Sequence, residues 1–503
     1  MINRTINRKS IQSLDRIAIT LIAGLTVVIA ILLFQGDHSV PRVRSFTWQD
    51  KQIGVEHDRF AITFTRPMDR VSVETNLQIN PPLPGKFSWA GRRLVYTLIS
   101  PAPYGTNYQL SLQKATDKYS NSGKSGAILQ PFNAQFRTRD RAFAYIGVEG
   151  QNSGQLMLVN LSAPEPKPIV LTPPDLVVSD FKAYPQGDRI LFLANDRNSQ
   201  RQGVLQQKLY EVTTGIHTNP PEQQSVSQEP AGKLKLVLDN KDYQILKFDL
   251  SSDGKTIVTQ RVSRSNPGDF GIWTLQPNSS PKPLQGQPGG DFLITPDSQA
   301  LAITQGEGLA IVPIAGSQDQ PLDFLPKYGT ILAFSRDGLA AATVKFNQDF
   351  TRSLFLVNTQ GTEKEIARIN GSIVDAEFDP IGETLYCLFT KLVAGEQYQE
   401  QPYIVAINLK TGETKKLLEF SPNQRQVQMN LSPDGIGLLF DQPLITPQPA
   451  AGISDAVRTD DNAAIVTSRL WLLPISSIST TDESNVPKPE ELPITGVRPV
   501  WLP

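Results

Sequence analysis

The sequence predicts an all-β protein: a seven-bladed β-propeller whose C-terminal strand closes the first blade, preceded by a β-sandwich and one N-terminal transmembrane helix. Three observations predict it. From residue 141 onward a turn phrase of the Ser-Pro-Asp-Gly kind recurs between apolar strands. Residues 43–138 carry short alternating strands broken by Pro and Gly. An uncharged apolar run, Ile17 to Phe34, follows a basic N-terminus.

Composition bounds the rest. Of 503 residues, 39% are hydrophobic and 19% charged, and the 39 prolines and 35 glycines suit many short strands joined by turns. The formal net charge of −1 provides no basic field, which argues against a nucleic-acid partner. Three histidines and one cysteine exclude a Cys-rich zinc site and any internal disulfide. Cys387 sits in the apolar run Thr384–Phe389 and reads as a small buried hydrophobe.

The apolar run 17–34 would span roughly 27 Å as a helix, close to a hydrocarbon core. Arg4, Arg8, Lys9 and Arg16 precede it, so residues 1–16 are expected in the cytoplasm. The bulk of the chain is then extracytoplasmic, in a periplasm, at a cell surface or in a thylakoid lumen, after a linker at 35–42. A cleaved signal peptide is the rival reading. It needs small residues at its cleavage site, and Leu32-Leu33-Phe34-Gln35-Gly36-Asp37 fits poorly.

Residues 43–138 come next. Phe60–Phe64, Leu77–Ile79, Gly85–Trp89, Leu94–Tyr96, Tyr108–Leu112 and Phe136–Thr138 read as strands. About seven strands in about 95 residues is the size of an immunoglobulin-like sandwich. The phrase Phe64-Thr65-Arg66-Pro67-Met68-Asp69 resembles the F-S-x-P-M-D of the bacterial SbsA-type Ig-like domain. Trp89, the Gly105-Thr106-Asn107-Tyr108 turn and the closing Phe136-Arg137-Thr138 fit that family too. The resemblance implies a spacer or adhesive module of envelope proteins. Gly123-Lys124-Ser125 looks like the end of a P-loop, but Lys118 stands where the leading Gly belongs, and no strand or helix flanks it. It reads as a solvated loop.

Residues 141–503 carry the repeat. Its turns are Tyr184-Pro185-Gln186-Gly187, Ser251-Ser252-Asp253-Gly254, Thr295-Pro296-Asp297-Ser298, Ser335-Arg336-Asp337-Gly338, Asp379-Pro380-Ile381-Gly382 and Ser432-Pro433-Asp434-Gly435. Pro presets φ at the first corner, Asp caps its own backbone and Gly accepts positive φ. The first half-unit, Ala142–Ile146 then Gln155–Val159, lacks a leading strand, and Val497–Pro503 supplies it. Pro503 then aligns with Pro185, Pro296, Pro380 and Pro433, and closure removes open sheet edges. Six blades with a loose tail is the alternative. The turns resemble the TolB-type, WD40-like repeat of envelope propellers, although Ser252 and Arg336 replace Pro and Ile381 replaces Asp. That resemblance implies protein or peptide binding at the channel mouth. The polar stretches 218–232, 445–466 and 479–490 read as exposed, mobile loops.

No G-x-S-x-G occurs, and His38, His57 and His217 lie at neither nucleophile nor metal-ligand spacing. Asp253, Asp297, Asp337 and Asp434 sit at turns and read as turn formers; Asn160-Leu161-Ser162 decides nothing. No catalytic, cofactor-binding or metal residue is assigned, and no cofactor is expected. The expectation is therefore a non-enzyme, a membrane-anchored binding or scaffold protein of a bacterial envelope or, as an assembly factor, of a photosynthetic membrane. Its protein or peptide partner would sit on a propeller face or in the channel. The alternative is a glycan binder or glycosidase-like propeller using paired channel carboxylates.

Overall fold

The computed structural model describes residues 13–35, 40–118, 126–198, 206–216, 229–277, 279–284, 289–306, 308–314, 323–325, 328–395, 398–422, 424, 426–446, 457–459, 463–475 and 488–503, of which 13–15, 32–35, 323–325 and 446 are described by backbone alone. His38, His217, the Gly123-Lys124-Ser125 phrase and most of the three polar stretches lie outside the described residues.

Helix α1 runs Ser13–Gln35. Its side chains from Arg16 to Ile31 are all exposed, with no protein packed against them. Among the described residues no helix is long and apolar enough to cross a membrane, so the expected span 17–34 is not shown.

The next strands are β1 (Val43–Phe46), β2 (Gln52–Ile53), β3 (Arg59–Phe64), β4 (Leu77–Asn80), β5 (Gly85–Ala90), β6 (Arg93–Leu98), β7 (Asn107–Leu112) and β8 (Phe132–Thr138). They form two four-stranded sheets, ordered β1-β3-β6-β5 and β2-β8-β7-β4. One apolar cluster joins the sheets into a sandwich, with Phe60 and Ile62 from one and Tyr108, Leu110 and Phe136 from the other. Strand alternation explains the division: in β7, Tyr108, Leu110 and Leu112 point inward while Asn107 and Gln109 are exposed. The sequence suggests only strands here, but a short helix α2, Arg70–Asn76, follows β3. Seven residues are too few to show a helical period. What starts α2 is Asp69, whose carboxylate accepts the Ser72 N–H at 2.7 Å. Met68 and Val73 are buried beside it. The Pro-Met-Asp phrase therefore packs one side chain and caps one helix.

From residue 142 the chain forms small antiparallel sheets in succession, the organisation of a β-propeller. Five have four strands each. Their first strands are Leu176–Ala183, Tyr243–Leu250, Phe292–Ile294, Thr330–Phe334 and Ile373–Phe378. Consecutive first strands pack against one another from Tyr243–Leu250 onward, which puts them at the centre. The remaining strands join in one seven-stranded sheet through the C-terminal strand Glu490–Trp501. Its beginning pairs with Ala464–Pro474, Trp471 opposite Glu491. Its end pairs with Ala142–Gly147, Val497 opposite Ile146 and Trp501 opposite Phe143. The last strand thus lies on the first strand after the sandwich. Val497, Trp501 and Leu502 are buried there.

The turns act as their residues dictate. Asp253, Asp297 and Asp337 each accept the hydroxyl of the residue two before them and the N–H of the residue two after. Asp434 differs. It is buried, and its Oδ2 accepts the Tyr104 N–H and an Arg141 N–H, both at 2.8 Å. Arg139 donates to the Pro185 carbonyl at 3.0 Å and pairs with Glu56. The sandwich is seated on the face that carries the turns. The reading of 445–466 as a loop is corrected at its ends: strands reach Thr446 and begin at Ala464, and Val457 and Ile465 join the apolar core. Cys387 is buried, and that burial pushes its thiol well above the ordinary range.

Candidate functional site around the propeller axis

Aligned on the turns, the central strands place equivalent residues at equivalent heights. Two residues before the first turn residue stand Lys182, Asp249, Leu293, Ala333, Glu377, Asn430 and Val500. Four residues before it stand Asp180, Lys247, Asp291, Ile331, Asp375, Gln428 and Arg498. Alternation turns both levels to the same side where the register is regular between them, whereas on Thr330–Phe334 and on the C-terminal strand an irregularity falls between the two levels. Irregular register accompanies several of them, at Val178/Asp180, Ile245/Lys247, Ile373/Asp375 and Val497/Val500. Each such bulge re-aims the side chain that follows it.

Most of these groups are satisfied by the next central strand. Asp249 accepts the Ile294 N–H at 3.0 Å, Glu377 the Leu431 N–H at 2.9 Å and Asn430 the Trp501 N–H at 2.7 Å. The cations follow the same direction. Lys182 pairs with Asp249 at 2.5 Å, Lys247 with Asp291, and Arg498 with Asp180 at 3.4 Å. Buried Asp441 adds a clamp, taking the Gln428 N–H at 2.7 Å and the Arg498 N–H at 2.8 Å. The axis is thereby stitched by side chains that bridge neighbouring strands.

Asp375 and Glu377 are the exception in charge. They are two residues apart on one strand, about 7 Å along it, and face the same way. Both keep some exposure towards the axis, yet the central strands wall them in. Burial pushes Asp375 up to about 6. Burial, then repulsion from Asp375, pushes Glu377 up to about 8. Among the described residues Asp375 accepts only the N–H of adjacent Ala376, at 2.8 Å. Burial likewise pushes Asp441 to about 6, against its two amide bonds. Lys182 is held charged above its ordinary value: burial opposes the charge, and Asp249 outweighs it. Two neighbouring carboxyls with separated values could hold and pass a proton near neutral pH. Among the described residues no group of three or more His, Cys, Asp or Glu could hold a metal ion.

A second feature lies on the face opposite the turns. Phe346 is 60% exposed, Tyr398 73% and Phe350 90%. The Arg352 guanidinium lies 6.0 Å from the Phe346 ring centre, and Tyr398 donates to Glu400. Phe350 sits in the turn of its hairpin at φ 64°, a conformation that bulky residues rarely adopt. Exposed aromatics beside an Arg are the composition of binding hot spots.

None of these residues was singled out from sequence. The signal existed: reading two and four places back from each turn yields the axial set. The turn aspartates were identified, but Asp434's place at the junction with the sandwich was not. His57, the one described histidine, uses Nδ1 to accept the Gly54 N–H at 3.2 Å.

No family model matches the chain. No curated protein matches it either. Solved structures do resemble it distantly. A putative 6-phosphogluconolactonase from Bacteroides uniformis is 14% identical over 72% of this chain and 100% of its own, with a TM-score of 0.44. An oligogalacturonate lyase from Vibrio parahaemolyticus is 11% identical over 60% of this chain and 88% of its own, with a TM-score of 0.42. TolB from Acinetobacter baumannii is 11% identical over 85% of this chain and 83% of its own, with a TM-score of 0.38. Likeness at this level assigns no activity. It does correct one expectation, that the chain is a non-enzyme. That expectation rested on finding no catalytic constellation in the sequence, whereas propellers described as enzymes stand among the structural neighbours.

Proposed function

We propose that the chain is a membrane-tethered, extracytoplasmic protein whose seven-bladed propeller binds a protein partner on the face opposite its turns. The observation that carries this reading is the exposure of Phe346, Phe350 and Tyr398 at the end of the propeller opposite its turns, with Arg352 beside Phe346. The other face is partly taken by the sandwich, through Asp434 and Arg139. Counting the blades follows from the C-terminal strand. Its two halves pair on opposite sides, so the seven-stranded sheet reads as two four-stranded blades sharing one strand, added to five others. The sandwich reads as an SbsA-type Ig-like spacer occupying 43–138. The apolar side chains of α1 from Ile17 to Ile31 have no protein cover, which supports a lipid environment for them. The basic residues before α1 support a cytoplasmic N-terminus.

Crosslinked pull-down from membranes tests the binding. The wild-type chain should capture a partner that the Phe350→Ala, Tyr398→Ala double variant loses, with both chains equally stable. Equal capture by the two refutes the assigned face. A reporter fused after Pro503 tests the topology; activity in the cytoplasm overturns it.

One observation favours a second reading. Among the described residues Asp375 and Glu377 form an acid pair on the axis with no cation beside it, and raised carboxyls of this kind could serve acid–base chemistry on a ligand held there. Loss of a hydrolytic or lyase activity in Asp375→Asn, with retained fold, would support that reading over simple binding.

A further inference from the structure

The outer face of the β2-β8-β7-β4 sheet carries Arg137 at one end, paired with Asp140, and an uncharged stretch beside it. On the other sheet the exposed outward residues include Arg59, Lys86 and Arg93, an ordinary solvated surface. On this one, a cleft of about 460 Å³ is lined by uncharged side chains and the one carboxylate of Asp50. Strand register arranges them in two rows. Asn80 stands opposite Gln109, and Gln109 opposite Gln135. Gln78 stands opposite Ser111, and Ser111 opposite Asn133. The turn after β1 forms a wall. Its Trp48 is buried in the sandwich, and the Asp50 N–H bonds the Gln135 carbonyl at 2.8 Å. Gln49 Nε2 donates to Asp50 Oδ2 at 2.7 Å, holding the wall upright.

None of the six row side chains has a hydrogen-bond partner among the described residues. Each amide offers two donors and an acceptor oxygen, and Ser111 a hydroxyl. Such a surface is matched by a ligand that is also dense in paired donors and acceptors. The lining holds no cation, and Asp50 is its one charge, so phosphates and nucleic acids find no electrostatic partner there. Leu110 and Ala134 contribute backbone only, because their side chains are buried in the core, so there is no apolar floor for a hydrophobic ligand. Vicinal sugar hydroxyls, each a donor and an acceptor, meet an amide's N–H and C=O side by side. A volume of this size lies within the ordinary range for small-ligand sites.

We infer that this cleft binds a neutral oligosaccharide through the Asn80–Gln109–Gln135 and Gln78–Ser111–Asn133 rows. The sandwich then attaches the propeller to a glycan surface rather than serving only as a spacer. The site is separate from both the axis and the aromatic face, so it stands or falls independently of them.

Saturation-transfer difference NMR on the purified full chain in a sugar-free detergent tests it. The probes are maltotriose, cellotriose, chitotriose, mannotriose and galactotriose. At least one should give saturation transfer with the wild type. Gln109→Ala with Gln135→Ala should weaken that binding at least tenfold, and Lys86→Ala on the opposite sheet should leave it unchanged. Both variants alter exposed side chains, and unchanged thermal unfolding verifies the fold. The inference is overturned by no signal from any trisaccharide, or by equal signal from the double variant. It is also overturned if the double variant abolishes a dimer seen in sedimentation, since the cleft would then be covered by a second copy.

Discussion

Replacing Glu377 by Gln removes a titration while keeping the hydrogen bond that the fold uses. The Leu431 N–H is 2.9 Å from a Glu377 oxygen, and the Gln carbonyl oxygen can accept it equally. What changes is the charge. In the folded chain the Glu377 carboxyl is pushed from its ordinary value of 4.5 up to about 8, first by burial and then by Asp375. A carboxyl raised in this way prefers to be neutral in the fold. Its contribution to stability is full below its unfolded value and is lost as pH rises through about 8. At about 1.4 kcal/mol per unit, the shift sets a ceiling of about 5 kcal/mol. The ceiling is not reached, because the side chain keeps some contact with solvent and shares its repulsion with Asp375; about 2 kcal/mol is the working figure. Thermal unfolding from pH 5 to pH 8.5 reads it. Wild type and Glu377→Gln should melt together at pH 5, and the variant should melt about 2 to 4 °C higher at pH 8.5. Asp375→Asn should recover part of the same gain by removing the repulsion. Parallel pH profiles for wild type and Glu377→Gln would refute the reasoning, for then the carboxyl does not titrate in an enclosed site.

Three further outcomes are expected. Deleting 497–503 removes three buried apolar side chains, Val497, Trp501 and Leu502, together with the pairing to Ala142–Gly147. At about 1.5 to 3 kcal/mol each this approaches the whole stability of a domain, so circular dichroism and protease digestion should show the propeller unfolded. Asp434→Ala strands the Tyr104 N–H and Arg141; it should cost about 2 to 4 kcal/mol at the junction and open residues 138–142 to proteolysis without unfolding either part. Asp69→Ala removes the cap of α2 and should lower stability by about 1 kcal/mol in a denaturant titration.

The organisation of the chain was largely legible because it is written locally. A Ser-x-Asp-Gly turn forms from its own atoms: the Ser335 hydroxyl and the Leu339 N–H both find Asp337. Counting such turns exposed a missing leading strand, and the structure puts the last strand in that place. Alternation separated inner from outer residues in β7 and β8 for the same reason. The axial positions could be counted back from the turns, but their pairing was not legible, because the partners are far apart in sequence. Arg498 reaches Asp180 and Asp441 takes the Arg498 N–H, contacts that only ring closure creates. Phe350 was also invisible, since a single aromatic in a turn says nothing about exposure until the hairpin is placed.

Asp249, Glu377 and Asn430 each reach forward to an N–H of the next central strand, and Lys182, Lys247 and Arg498 reach forward to an acid. Leu293 and Ala333 cannot take part, and Ile331 stands on the strand just before Asp375. Asp375 therefore receives no cation from behind. The uncharged axial positions Leu293, Ile331 and Ala333 interrupt the ring of ion pairs, and the interruption ends at the acid pair. At Asp249, Glu377 and Asn430 a ligand must break a strand-to-strand bond before it can be held. At Asp375 it need break only a bond to the adjacent Ala376 N–H.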